Sequence, residues 1–305
     1  MPNNLYDIAI VGGGPAGMTA ALYARRSDKK VIIFEKENFG GQMALAPKVE
    51  NFPSIKSSSG QGIAEQMFDQ IMELGVEFEL EEVESIQKND NIFTITTNYH
   101  EYKALSVIVA SGAAHRHIGI PHEEDWIGKG LSYCAVCDGA FYKNEEVAVV
   151  GDGNSALQYA LDLSGYCSKV YVCTLFDKFF GDQVLVNRLS EKDNIEIIHN
   201  ISLRNIHGQN RLECLEFENT LNHQRLDLKV TGVFIAIGQV PNNNMIKNLA
   251  NIDKDGYVIS DELLNTNTDG LFVAGDCRTK AVRQVTTAVA DGAVAAIRAI
   301  NYLNQ

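Results

Sequence analysis

The stretch YDIAIVGGGPAGMTAALYARRSDKKVIIFEK, Tyr6–Lys36, decides the fold. It reads strand, glycine turn, helix, strand. Gly12, Gly14 and Gly17 supply the spacing GxGxxG. The first glycine allows the tight turn, the second lets backbone approach a pyrophosphate, and the third brings helix against sheet. A diphosphate would then sit on the positive end of the helix. Glu35 closes the next strand, where a carboxylate can accept hydrogen bonds from ribose hydroxyls.

A second copy of this unit follows. VVGDGNSA, Val149–Ala156, is again a glycine turn, and VYVCTLFDKFFGD, Val170–Asp182, holds the strand that should carry a ribose reader. The two copies align on their glycines without a gap: Lys30 and Lys169 each lie 18 positions after the first glycine, and Glu35 and Thr174 each lie 23 after it. This is an internal duplication of one fold rather than a tandem array. The second copy lacks its reader, because the strand runs into Thr174, Leu175 and Phe176.

Between the copies, residues 61–74 read as an amphipathic helix, and FTITT and LSVIVASG as strands returning to a sheet. Near the end, TNTDGLFVAGDCRTKAVRQVTTAVADGAVAAIRAINYL, Thr266–Leu303, supplies a strand, a Gly275-Asp276 terminus and a helix of small residues. A strand ending in Gly-Asp can place its carboxylate on a ribityl hydroxyl, and the next helix N-terminus can face an electron-rich ring. The expected fold class is α/β, with two Rossmann-like, three-layer domains. Residues 1–114 and 244–305 form one, and 115–243 are inserted into it.

A chain of 305 residues with 45% hydrophobic and 21% charged content can build two sizeable cores. No apolar run approaches the roughly 18 residues that span a bilayer. Met1–Tyr6 lacks the basic and apolar regions of a signal peptide, so the expected location is the cytoplasm. A net charge of -13 disfavours nucleic acid and anionic membranes. Of six cysteines, Cys134 and Cys137 form the one patterned pair, CxxC; Cys167, Cys173, Cys214 and Cys277 read as structural. CxxC at a helix start suits a thiol–disulfide relay, which needs two sulfurs close enough to bond and a way to stabilise one as thiolate. Half a zinc site is the competing reading, but no second CxxC or HxxxH supplies the other ligands, and no metal is expected. His115, His117 and His122 are irregularly spaced and read as solvated loop histidines.

GGGPAG, GGQM followed by VENFP, ASG, IP with SYCAVCDGAF, AIGQVPN, LFVAGD and RQVTTA occur in this order over essentially the whole chain. In these stretches the chain resembles the low-molecular-weight thioredoxin reductases. The resemblance implies an outer domain that binds FAD, an inserted pyridine-nucleotide-like domain carrying the redox centre, and a homodimer. It places Gly12, Gly14, Pro15, Ala16, Gly17 and Glu35 on the ADP half of FAD. Gly41, Gln42 and Asn51 would lie around the flavin, as would Gly275, Asp276, Arg283, Gln284 and Val285. Read alone, Gln42 and Asn51 could equally be loop residues satisfying their own backbone. By the same resemblance Cys137 faces the flavin, Cys134 attacks the disulfide of thioredoxin, and Asp138 gives and takes the proton of the leaving thiolate.

In relatives that use NADPH, the strand corresponding to Lys169–Cys173 ends in His-Arg-Arg-Asp, with a further Arg soon after, and the arginines bind the 2′-phosphate. Here Thr174, Leu175, Phe176 and Asp177 stand at those positions and Phe180 at the later one, so every cation is gone. Asp152 adds negative charge beside the turn, whose glycines could persist for packing alone. The expected electron donor is therefore a ferredoxin, as in the ferredoxin-dependent branch of this family, since a flavin can accept electrons one at a time. A donor of that kind, itself acidic, would need a locally basic dock. The alternatives are a reductase using NAD(P)H with atypical recognition, an enzyme feeding a peroxidase-type partner, and a non-catalytic flavin redox sensor.

Overall fold

The computed structural model describes residues 5–46 and 48–305. Residues 1–4, on which part of the reading of the N-terminus rests, and Pro47 lie outside it. The chain divides into two compact units, one made of the residues up to Ala114 together with Val240–Gln305, the other of His115–Gln239.

The first unit opens with β1 (Leu5–Val11), α1 (Pro15–Arg26), β2 (Val31–Phe34), the short α2 (Gly41–Ala44) and α3 (Gly60–Glu73). Strands β3 (Glu77–Glu79), β4 (Val83–Asn89), β5 (Ile92–Thr97) and β6 (Glu101–Val109) follow. Helix α3 begins where Ser59 accepts a hydrogen bond from the Gly62 amide, an N-cap that satisfies one of the free donors of the first turn. The sheet order is β3-β2-β1-β6-β5-β4. Strands β3, β2, β1 and β6 are parallel, and β5 and β4 continue antiparallel. Continuous apolar runs such as Ile8–Val11 and Val31–Phe34 are buried, as expected of strands covered on both faces.

The chain leaves on β7 (Ala113–His115) and builds the second unit from β8 (Leu131–Ser132), α4 (Ala135–Asp138), β9 (Glu146–Val150), α5 (Asn154–Ser164), β10 (Lys169–Cys173), α6 (Gln183–Ser190) and β11 (Ile195–Ile198). Then come β12 (Ile201–His207), β13 (Cys214–Asn219), β14 (Arg225–Leu228) and β15 (Gly232–Ile235). Its main sheet, β11-β10-β9-β15-β8, is parallel throughout, and β12, β13 and β14 form a separate antiparallel meander.

The chain returns on β16 (Gln239–Pro241), which pairs with β7, then adds β17 (Leu271–Val273) beside β6 and the long α7 (Val285–Leu303). The return falls at Val240 rather than at residue 244, the boundary expected from the sequence. Asn243 already belongs to the first unit: its amide donates to the carbonyls of Gly256 and Cys277, and its carbonyl accepts from the Ser111 hydroxyl. Helices α1 and α7 pack through alanines, Ala20, Ala21 and Ala24 against Ala295, Ala296 and Ala299, all buried. At Gly292 a Cβ would come within 2.2 Å of the Ala16 carbonyl oxygen, so the two backbones almost touch.

Candidate functional site

The first glycine turn is built by exclusion. Gly12 sits at φ +111°, and a Cβ there would meet the Ala110 carbonyl oxygen at 2.2 Å; at Gly17 it would meet the Gly12 carbonyl oxygen at 1.9 Å. Both are packing constraints. At Gly14, the N-cap of α1, nothing lies within 4 Å of a Cβ position, so the backbone is bare on that side, with Pro15 and Ala16 opening the helix behind it. An open face at a helix N-terminus suits the close approach of a phosphate. Glu35 accepts the Gly13 amide at 2.8 Å and the Glu37 amide at 3.0 Å, which fixes its carboxylate at the mouth of a cleft lined also by Val11, Phe34, Glu82, Ser111 and Met245. Gly12 lines the same cleft, so two of the residues marked by the sequence meet there.

The remaining cofactor candidates of this unit come together in part. Gly41 opens α2, with its Cβ position 3.5 Å from the Gly14 Cα. Gln42 is exposed on the same short helix and makes no side-chain hydrogen bond among the described residues. The Asn51 amide donates to the Gln284 side-chain carbonyl at 3.2 Å, and Gln284 caps α7 through a capping box with Thr287, one residue before Val285. Gly275, at φ +82°, turns the chain so that Asp276 follows β17. The Asp276 Oδ1 atom is buried without a hydrogen-bond partner, and burial raises this carboxyl above the usual aspartate range. Such a group in a native structure calls for a donor from outside the chain. Arg283 is braced by the carbonyls of Asp276 and Arg278 and lies 4.2 Å over the Tyr257 ring.

Sequence reasoning missed Asp291, on the small-residue face of α7. It accepts hydrogen bonds from the Gly275 amide, from Arg278 and from Lys280. Burial pushes its pKa up, but the bonds from Arg278 and Lys280 outweigh this and hold it below the ordinary value. Asp291 therefore ties the Gly275–Lys280 loop to the helix. An acidic residue inside a run of alanines was the available signal.

In the second unit Cys134 and Cys137 form a disulfide across the first turn of α4. Cys134 is the N-cap, half-buried, and its Sγ accepts the Cys137 amide at 3.2 Å; Cys137 is exposed. An amide aimed at a sulfur at a helix start stabilises negative charge there, so Cys134 is the better placed of the two to exist as thiolate once reduced. Asp138 follows on the same turn. Burial raises its pKa, while a hydrogen bond of 2.6 Å from the Ser132 hydroxyl pulls it the other way.

Tyr133, between Ser132 and Cys134, is held from several sides. Its hydroxyl donates to Glu123 at 2.5 Å, its carbonyl accepts from the Tyr159 hydroxyl, and its ring stacks on His115 at 4.9 Å. Glu123 is buried and accepts the Ile118 and Gly119 amides. The expectation of three solvated histidines is corrected at His115, which stacks on Tyr133; His117 reaches the Tyr133 hydroxyl at 3.2 Å but stays exposed, as does His122, paired with Asp125. Their irregular spacing hid this because Tyr133 is distant in sequence. Among the described residues no group of three or more His, Cys, Asp or Glu could hold a metal ion.

The second glycine turn carries the same lock as the first with its ends exchanged. In the first unit the strand-end Glu35 receives an amide from the turn and the Glu37 amide. In the second, the turn residue Asp152 supplies the carboxylate and receives the Phe176 amide, the counterpart of Glu37, at 3.4 Å. Thr174, at the position of Glu35, is fully buried and engaged, donating to the Phe176 carbonyl and meeting His199 Nδ1 at 2.7 Å. Leu175 is 45% exposed, Phe176 48% and Phe180 61%. The Asp152 carbonyl also accepts the Phe180 amide, and Asn154 accepts the Asp182 amide. Asp152 therefore points its charge toward the strand end, where a ribose or its phosphate would lie.

A fold with paired Rossmann-like units and a redox disulfide defines a class. A family model described as pyridine nucleotide-disulphide oxidoreductase matches residues 6–292, and the chain belongs to that family, whose members are FAD-binding flavoproteins. It is 37% identical over 302 residues to the thioredoxin reductase of Listeria monocytogenes, covering 99% of this chain and 95% of the relative. It is 39% identical over 298 residues to the 34.2 kDa protein in the rubredoxin operon of Clostridium pasteurianum, covering 97% of each. Among solved structures, thioredoxin reductase from Streptococcus pyogenes superposes with a TM-score of 0.96 at 38% identity, over 99% of each chain. The two Rossmann-like domains expected from the sequence are those of this family.

The bare face at Gly14, the anchored Glu35 and the Asp276 oxygen that lacks a hydrogen bond fit FAD: phosphate, ribose and ribityl chain would each meet a group of the required kind. No helix among the described residues is long and apolar enough to cross a membrane.

Proposed function

We propose that the protein reduces the disulfide of a thioredoxin through the Cys134–Cys137 pair, drawing electrons from FAD held in the first unit and, beyond it, from a ferredoxin. The observation that carries the reading is the disulfide itself, bonded across a helix start with an amide on Cys134 and an acid next to Cys137. Bound FAD supplies the electron pair that reduces this disulfide and can be recharged one electron at a time. Gly12, Gly14, Pro15, Ala16, Gly17 and Glu35 hold its ADP half; Gly41, Gln42, Asn51, Gly275, Asp276, Arg283, Gln284 and Val285 surround the rest. In the exchange, the Cys134 thiolate attacks one sulfur of the partner's disulfide and releases the other as thiolate, which takes a proton from Asp138. Cys137 then loses its thiol proton and attacks the Cys134 sulfur, and the partner's second sulfur, released from the mixed disulfide, takes up that proton. The Cys134–Cys137 bond closes and the partner leaves as a dithiol, carrying two electrons and two protons. The first unit is read as the FAD domain, the second as a pyridine-nucleotide-like domain, and the enzyme as a cytoplasmic homodimer.

Ferredoxin is favoured because Thr174, Leu175, Phe176 and Phe180 put no cation at the positions where relatives read a 2′-phosphate, the nearby Lys178 lies over the Phe180 ring, and the Asp152 carboxylate faces the strand end. The Clostridium pasteurianum relative, named for its rubredoxin operon, is consistent with iron-protein company. NAD(P)H as donor has one observation on its side: nothing lies within 4 Å of a Cβ position at Gly153, so that turn is bare too. Anaerobic mixing of the flavoprotein with reduced ferredoxin, NADPH or NADH decides between them. Flavin bleaching is expected with ferredoxin and little with either nucleotide; rapid, saturable bleaching by micromolar NADPH refutes the ferredoxin reading.

A further inference from the structure

Ser132 stands just ahead of the redox pair, 4% exposed. Its hydroxyl touches three groups. It donates to Asp138 Oδ2 at 2.6 Å, accepts the Cys134 amide at 3.0 Å, and lies 3.4 Å from the Cys134 carbonyl oxygen, which its proton can reach by rotation. Ser132 supplies the hydrogen bond found on the Asp138 carboxylate among the described residues. A hydroxyl has one proton to give, so Asp138 and the Cys134 carbonyl compete for it.

We propose that Ser132 is a positioning residue for the proton transfer at the redox pair, coupling the protonation state of Asp138 to the backbone of Cys134. While Asp138 is ionised, the hydroxyl proton points to its carboxylate. When Asp138 takes a proton, its own O–H donates to Ser132 Oγ and the Ser132 proton turns to the Cys134 carbonyl. Giving that proton to a leaving thiolate reverses both bonds, and no proton is lost. Throughout, the Cys134 amide stays on Ser132 Oγ, which keeps the nucleophile and its acid in one frame. This rests on Asp138 acting as the acid of the exchange.

The other titratable groups around Asp138 are the two cysteines of its own turn, Tyr142 just after it, Tyr159 and Asp162 on α5, and Tyr166 beyond α5. Glu145 and Arg211 reach this region through Tyr142, where their charges act in opposite directions. None of them hydrogen-bonds the Asp138 carboxylate, which leaves Ser132 as the group whose removal should be felt there.

Holoenzyme reduced with dithionite and mixed with excess oxidised thioredoxin tests this without any natural donor. Burial raises the Asp138 pKa and the Ser132 bond opposes that rise. Ser132→Ala should therefore raise it further and move the pH limb of dithiol oxidation, followed by flavin reoxidation, upward by about one unit, tenfold in the protonation constant. Ser132→Thr, which keeps a hydroxyl, should leave the limb in place, and Asp138→Asn should remove it. A Ser132→Ala enzyme that is slower at every pH with its limb unmoved overturns the proposal and leaves Asp138 as the acid. A limb that survives Asp138→Asn overturns both the proposal and the role of Asp138.

Discussion

Giving the second unit a phosphate reader should make it bind a 2′-phosphate. The perturbation is Leu175→Arg with Phe176→Arg, made with and without Asp152→Gly. A charge-assisted hydrogen bond contributes about 1.5–3 kcal/mol, so two cations on one phosphate amount to about 3–6 kcal/mol, roughly two to four orders of magnitude in Kd. Both side chains are about half exposed, at 45% and 48%, so long arginine stems can lie along the surface with little effect on the fold. Asp152 limits the gain. Its carboxylate already receives the Phe176 amide at 3.4 Å and would pair with the new guanidinium groups instead of releasing them to a ligand. The double variant should therefore gain at most tenfold, and the triple variant about a hundredfold or more. Calorimetry with 2′,5′-ADP against 5′-AMP separates recognition of the phosphate from that of the adenosine. A triple variant that binds 2′,5′-ADP no better than 5′-AMP refutes the claim that missing cations and Asp152 are what keep NADPH out.

Cys137→Ser should trap a Cys-to-Ser thioredoxin as a mixed disulfide and Cys134→Ser should not, read as a shifted band on a non-reducing gel; the reverse pattern would exchange the roles of the two sulfurs. Gly14→Ala should lower FAD retention at least tenfold with the fold intact, because its Cβ enters the bare face and meets nothing within 4 Å in the apoprotein; an unchanged ratio of flavin to protein absorbance would count against that face as the phosphate site. Asp276→Ala should also weaken FAD binding, yet cost the apoprotein little, since it removes a buried oxygen without a hydrogen bond whose ion-pair partner, Lys280 at 3.9 Å, keeps its closer bond to Asp291; a large loss of apoprotein stability in denaturant melts would mean the carboxylate is satisfied within the chain. The Asp291 pKa is lowered in the fold, so its stabilisation is complete above the ordinary aspartate pKa near 3.9 and is lost as pH falls through the lower folded value; Asp291→Asn should melt earlier at neutral pH, with the gap to the unmodified protein closing toward pH 2–3.

The glycine turns, both Rossmann-like folds and the pairing of Cys134 with Cys137 at a helix start were legible because each depends on residues near one another in sequence. Helix α3 was expected at 61–74 and runs Gly60–Glu73, its start set by the Ser59 cap. The illegible parts depend on distant partners. Nothing near Asp291 announces that Arg278 and Lys280 fold back on it, and Tyr133 reads as one more aromatic until Glu123 is seen beneath its hydroxyl. The sequence shows Asp152 only as a charge beside the turn; the strand end approaching it shows that it replaces a carboxylate in the position of Glu35. Ser132 shows no role in the sequence, since its partners Cys134 and Asp138 meet it only after the helix turns.

The interrupted first unit has a consequence for the order of synthesis. His115–Gln239 is one uninterrupted segment and can fold as soon as it emerges from the ribosome. The first unit must wait. Until β17 emerges, the far half of β6 is an open sheet edge, and until α7 follows, the alanine face of α1 has no Gly292 against it. An unpaired edge beside bare apolar surface is the kind of nascent intermediate that invites misassociation. A ribosome stalled between the two parts would carry a finished second unit on a half-built first one, so chaperone demand should peak late in translation, after His115–Gln239 is already complete.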